Sequence, residues 1–145
     1  MSPLHSSKIK FTGHGGTPYQ FLPQHGASTA ECYGYENGMS VCTFESMSLN
    51  AGKLHIEHFA VSKTMIGKNY GEICLRDFAA MVQAQMPIIS EITFDLGRSL
   101  TGSDIAQLAK ARESLLKRIG AINICIRQSN ASCKVVSAAW QKSAW

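Results

Sequence analysis

Residues 54–61, LHIEHFAV, set Leu54, Ile56 and His58 against His55, Glu57 and Phe59. That is the two-residue period of a half-buried strand. From Tyr70 the period becomes helical. Leu75, Phe78 and Val82 share one face, with Ile73 and Met81 near its edge, and Glu72 stands four residues before Arg76, a favourable helical pair. Pro87 ends this helix by disfavouring helical geometry at Met86. Alternation returns over 91–96, where Ile92, Phe94 and Leu96 oppose Glu91, Thr93 and Asp95. Strand, helix and strand in this order predict a βαβ unit with parallel strands.

The flanking segments predict antiparallel pairing. Ile9 and Phe11 mark a short first strand, a histidine-glycine loop follows at 14–16, and 19–22 reads as another strand before Pro23. Strands over 31–35 and 39–48 face each other across Asn37-Gly38, a strong hairpin signal because both residues tolerate positive φ. A second turn at Asn50-Ala51-Gly52 leads into the central strand. Beyond 96, a loop over 97–102 precedes a helix over 104–118, striped by Ile105, Leu108, Leu115, Leu116 and Ile119 and stopped by Gly120. The last strands run over 121–127 and 134–138, joined at Ser129-Asn130. Trp140 and Trp145 then serve as hydrophobic cover at a sheet edge or as a subunit contact. The class is α/β, with a mixed, mostly antiparallel sheet around one parallel pair.

The length of 145 residues fits a single domain, 1–145, with 1–7 as a loose tail. The net charge of +4 is too mild, and Lys and Arg too scattered, for nucleic acid to be the expected partner. It favours an anionic cofactor. Cys32, Cys42, Cys74, Cys125 and Cys133 lie mostly in apolar stretches without metal-ligand spacing. They read as reduced core thiols of a cytoplasmic protein, with no metal site. The amino terminus lacks the apolar core of a signal peptide, and no run is long enough for a membrane span.

Candidate chemistry gathers between the central strand and its helix. Gly67 and Gly71 bracket Lys68-Asn69-Tyr70, with Ile66 before them and Lys63 upstream. Glycines allow close backbone approach, and the first amides of a helix have no intrahelical partner, so a diphosphate would sit well here. A tight strand-to-helix connection with no ligand is the alternative. His55 and Glu57 share one strand face and are the candidate general bases, with Asp95 as a weaker one. His58 is expected on the opposite face, packed.

Residues 54–78 resemble the central motif of the GNAT acyltransferase superfamily: a strand, then Gln/Arg-x-x-Gly-x-Gly/Ala, then a helix. The register is Ile66-Gly67-Lys68-Asn69-Tyr70-Gly71, with Ile66 replacing Gln/Arg and Asn69 replacing Gly. The resemblance implies a GNAT-like sheet with helices on both faces and acetyl-coenzyme A as cofactor. It places the pyrophosphate on this turn and a freed backbone amide around Phe59, Ala60 and Val61, facing the thioester. It also implies an amine acceptor, direct transfer with Glu57 and His55 as base, and, by analogy with family members, a homodimer. Many members carry a tyrosine where this chain has Leu116, and an asparagine where it has Ala109. A catalytically silent module that binds coenzyme A or a protein partner is therefore the alternative function.

Overall fold

The computed structural model describes residues 9–13, 30–62, 70–99, 104–130 and 133–145. Seven strands form one sheet: β1 Lys10–Thr12, β2 Ala30–Glu36, β3 Met39–Asn50, β4 Lys53–Val61, β5 Glu91–Ser99, β6 Ile122–Asn130 and β7 Cys133–Gln141. Their order is β1-β2-β3-β4-β5-β7-β6. Helix α1, Tyr70–Gln85, links β4 to β5, and α2, Asp104–Ile119, links β5 to β6. β4 and β5 are parallel and the other neighbours antiparallel, as the sequence pattern predicts.

Local chemistry explains the meander. Asn37 and Gly38 have φ of 52° and 79°, and Ala51 and Gly52 have 48° and 85°. Both two-residue turns thus take the left-handed conformations whose twist matches that of a strand pair. The helices then cover one face. β6 is parallel to β5 with β7 inserted between them, so α1 and α2 make successive crossovers moving the same way along the sheet and lie side by side. Arg76 donates to the Arg118 carbonyl at 3.3 Å, and Glu72 holds Arg76 at 3.1 Å and Arg118 at 3.6 Å. Among the described residues the expected helical cover of both faces is therefore met on one face only.

The core lies between this face and the helices. Phe78 of α1 stacks on Phe44 of β3 with centroids 4.0 Å apart, and Phe11 meets Phe78 edge-on at 5.7 Å. Buried Asp77 accepts the Ile9 backbone N–H at 3.1 Å and so ties β1 to α1. The thiols of Cys42 and Cys74 also meet in this core, and their hydrogen bond together with burial raises the Cys42 pKa. At the other end Trp140 is fully buried, packs near Phe94 and donates its indole N–H to the Ile119 carbonyl at 2.9 Å. That bond holds the last turn of α2 to β7.

Several boundaries differ from the sequence expectation. β5 runs on through Gly97, Arg98 and Ser99, read as loop, because β7 supplies partners as far as Cys133. β6 and β7 are likewise longer than their apolar cores. Trp140 is core rather than edge cover, since β7 is an interior strand. Cys125 is exposed, on edge strand β6. The expected loop at 14–16 and strand at 19–22 lie outside the described residues. Trp140→Phe removes the bond to Ile119 and leaves a void; it should cost about 2–3 kcal/mol in urea unfolding, with the slope unchanged.

Candidate functional site

The central strands part company halfway. β4 pairs with β5 only over Lys53, Leu54, His55 and Ile56, opposite Glu91, Ile92, Thr93 and Phe94. Beyond that point β4 stays with β3 as far as Val61, and β5 stays with β7 as far as Ser99. Residues 57–61 and 95–99 thus face each other without a ladder, and the gap opens toward the carboxyl ends of both strands. Crevices at such strand ends are where α/β sheets place ligands. At the open end Ser62 donates its N–H to the Val41 carbonyl at 2.9 Å. Tyr70, the first residue of α1, donates its hydroxyl to Glu36 at 2.7 Å, and that bond raises the Tyr70 pKa.

The face away from the helices carries a polar row at the closed end of the gap. His55 Nδ1 lies 2.7 Å from Thr93 Oγ1, and Nε2 lies 3.3 Å from Asp95 Oδ2. Asp95 also accepts the Ser137 hydroxyl at 2.6 Å and meets Arg127 at 3.5 Å. Both ring nitrogens of His55 are therefore engaged. Glu57, two residues on, is exposed and has no hydrogen-bond or ion-pair partner among the described residues. Of the two candidate bases, only Glu57 has acceptor atoms without a partner among the described residues. The alternation along β4 also breaks here. Leu54, Ile56 and Phe59 are buried, so Phe59, not His58, enters the core, where it lies 4.8 Å from Phe44. His58 sits opposite Glu45 on the outer side with His55 and Glu57, correcting its expected placement.

Similar architectures occur among solved structures. A spermidine/spermine N-acetyltransferase from Vibrio cholerae matches with a TM-score of 0.57 at 11% identity, over 88% of this chain and 81% of its own. The ribosomal-protein-S18-alanine N-acetyltransferase from Escherichia coli matches at 0.55 and 12%, over 89% and 80%. A GNAT family acetyltransferase from Elizabethkingia anophelis with acetyl-CoA bound matches at 0.52 and 12%, over 94% and 99%. The fold is that of the GNAT acetyltransferases. No protein-family model and no curated protein sequence matches the chain.

In this GNAT fold, Phe59, Ala60 and Val61 lie on β4 beyond the end of its ladder with β5. Lys63, Ile66, Gly67, Lys68 and Asn69 lie outside the described residues. Gly71 is described, and its surroundings give it a packing role: a Cβ there would stand 3.0 Å from Leu115 Cδ2. Leu116 is fully buried and Ala109 nearly so, with no polar side chain at either position on α2. Thr93, Ser137 and Arg127 were missed as site residues. Thr93 was legible as an outer position of β5, but Ser137 and Arg127 join it only through the insertion of β7 between β5 and β6. Among the described residues no group of His, Cys, Asp or Glu could hold a metal ion, and no helix is long and apolar enough to cross a membrane. Gly71→Val should destabilise the protein by about 1–3 kcal/mol in thermal or urea unfolding through crowding against Leu115, and Leu115→Ala in the same chain should restore part of that loss.

Proposed function

We propose that this chain is an acyl-coenzyme A-dependent N-acyltransferase, passing an acyl group, acetyl first of all, directly to an amine. The observation that carries this reading is the gap between β4 and β5, closed at Ile56 and Phe94 and open at the start of α1. Acyl-coenzyme A would lie in it as substrate, with its pyrophosphate on the amides of 67–71 and its pantetheine between the strands. A backbone amide within 59–61 would donate to the thioester oxygen as negative charge develops there. Glu57 would accept the proton of the attacking amine, directly or through water, while His55 lines the same face. The amine attacks the carbonyl carbon, the carbon–sulfur bond breaks, and the thiolate leaves. With Leu116 where many relatives have tyrosine, water protonates that thiolate.

This reading carries two companions. Three buried, unpaired cysteines, Cys32, Cys42 and Cys74, suit a reducing cytoplasm. The free edge of β6, with Ile122 exposed, is where a second copy would add in a homodimer. The absence of polar side chains at Leu116 and Ala109 favours one competing reading, a silent module that binds coenzyme A without transfer.

Calorimetric titration with acetyl-coenzyme A should show one site per chain. No binding at millimolar ligand would end both readings. If the cofactor binds, Glu57→Gln should lower turnover on responsive amines by about 10² to 10⁴ while leaving cofactor affinity unchanged, and His55→Ala should do less. An unchanged rate in the double variant would remove these residues from the chemistry. Binding without turnover on any of a broad amine panel would favour the silent module.

A further inference from the structure

Three side chains on the outer face are linked in one direction. Thr93 and His55 are register partners in the parallel ladder, one step from its last pair, Ile56 and Phe94. Thr93 Oγ1 lies 2.7 Å from His55 Nδ1, and His55 Nε2 lies 3.3 Å from Asp95 Oδ2. Asp95 stands two residues after Thr93, on the same strand face. It is itself held by the Ser137 hydroxyl at 2.6 Å and by Arg127 at 3.5 Å. A carboxylate beside a guanidinium has only acceptor atoms to offer. The ring therefore carries a proton on Nε2, and in the neutral imidazole Nδ1 is then a lone pair. The Thr93 hydroxyl donates to it.

This is a hydroxyl on a base whose other nitrogen is fixed by an acid. The same arrangement activates a hydroxyl for attack on a carbonyl carbon, and it is recognised by geometry rather than by place in the sequence. The ring turns Nδ1 rather than Nε2 to the hydroxyl, which changes its reach and not its chemistry. Burial does not demand the row. Thr93 is half-buried, and the His55 and Asp95 side chains keep 30% and 36% exposure, so water would satisfy each of them. What the row fixes is the tautomer of the ring and the aim of its lone pair. The same exposure leaves the Thr93 hydroxyl within reach of a small ester.

We propose that Thr93 is a nucleophile that accepts an acyl group from a small activated ester or thioester, with His55 as its general base and Asp95 as the residue that positions the base. Thr93 Oγ1 bonds to the carbonyl carbon as its proton passes to His55 Nδ1. The bond from that carbon to the leaving oxygen or sulfur breaks, and the leaving group takes the proton from the imidazolium. The product is an acyl ester on Thr93. Water, deprotonated in turn by His55, attacks that ester, releases the carboxylic acid and restores the hydroxyl. The net reaction is hydrolysis, with water as the only co-reactant. It goes beyond direct transfer to an amine and does not require coenzyme A.

The test treats the chain with millimolar p-nitrophenyl acetate in one arm and acetyl-coenzyme A in the other. Acid quenching and peptide mass spectrometry locate the acetyl group, and steady release of p-nitrophenolate reads the hydrolysis. Neutral hydroxylamine strips an acetyl thioester from the exposed Cys125, alkaline hydroxylamine strips the oxygen ester as well, and an acetyl-lysine survives both. Label on Thr93 and Thr93-dependent release are expected. Thr93→Ser should keep both, and Thr93→Val, which keeps the shape, should lose both. His55→Gln should slow acetylation of Thr93 by about 10² or more. Asp95→Asn should do the same with its urea midpoint little moved, because an amide can drive the ring proton onto Nδ1; a merely structural role would move stability and not this rate. That variant keeps the test open where His55→Gln does not fold. Acetyl only on Cys125 or lysines with release unchanged in Thr93→Val, or acetylation of Thr93 at the parent rate in Asp95→Asn, overturns the proposal. Label from both arms makes thioesters a source alongside oxygen esters, and label from the first arm alone restricts the source to oxygen esters. Thr93 chemistry in a chain that does not bind acetyl-coenzyme A upholds this site and ends the proposed function; binding with neither label on Thr93 nor Thr93-dependent release does the reverse.

Discussion

Four parallel residue pairs between β4 and β5 hold the two halves of this protein together. On one side stands the meander β1 to β4, and on the other the group β5, β7 and β6. Within each half the strands pair with one another; the short ladder and the helices are what join the halves. The ladder keeps Leu54 against Ile92 and Ile56 against Phe94, all four side chains buried. α1 reinforces the join by packing over β3 and β4 and pairing with α2 through Glu72, Arg76 and Arg118. A seam held at one end only can stay open at the other without unravelling the sheet.

An open seam has a cost. Buried backbone groups in a sheet interior normally find partners, and those facing the gap have none on the neighbouring strand. Water meets part of that demand, and an extended polar ligand that adds itself between the strands meets it better. The gap is in effect two interior sheet edges, protected from a second protein chain by the core beneath and the closed ladder behind. On the proposed reading, the break in pairing therefore carries more functional weight than any single side chain lining it.

The architecture was legible in the sequence because it rests on periodicity and turn chemistry. Asn37-Gly38, Ala51-Gly52, the stripe of α1 and the alternation of β5 each state their conformation locally. The site was legible only where it follows those patterns. Reading β4 as one uninterrupted alternation put His58 inside and Phe59 outside, since a period extrapolates smoothly through a break it cannot see. Opposite it on the neighbouring strand, at the one pair missing from the β3–β4 ladder, Ser46 has φ of 54°, and serine has no marked preference for positive φ. The outer polar row was hidden for a different reason. Thr93 and Asp95 meet Ser137 and Arg127 because the last strand inserts between β5 and β6, and no residue of β7 announces that neighbour.

Charge on the outer face separates the three acidic or basic groups that sequence spacing alone left together. Asp95 faces His55, Ser137 and Arg127, so its charge is largely answered. His55 spends both nitrogens on Thr93 and Asp95, which fixes the ring but leaves no lone pair toward an incoming group. Glu57 carries a negative charge with no described counterpart, and it does so on the residue where the strands separate. The chain as a whole is positive by +4, which suits a polyanionic cofactor approaching from solvent. On the proposed reading a protonated amine meets the reverse sign only at the mouth of the chemistry, where the same carboxylate that attracts it is placed to take its proton.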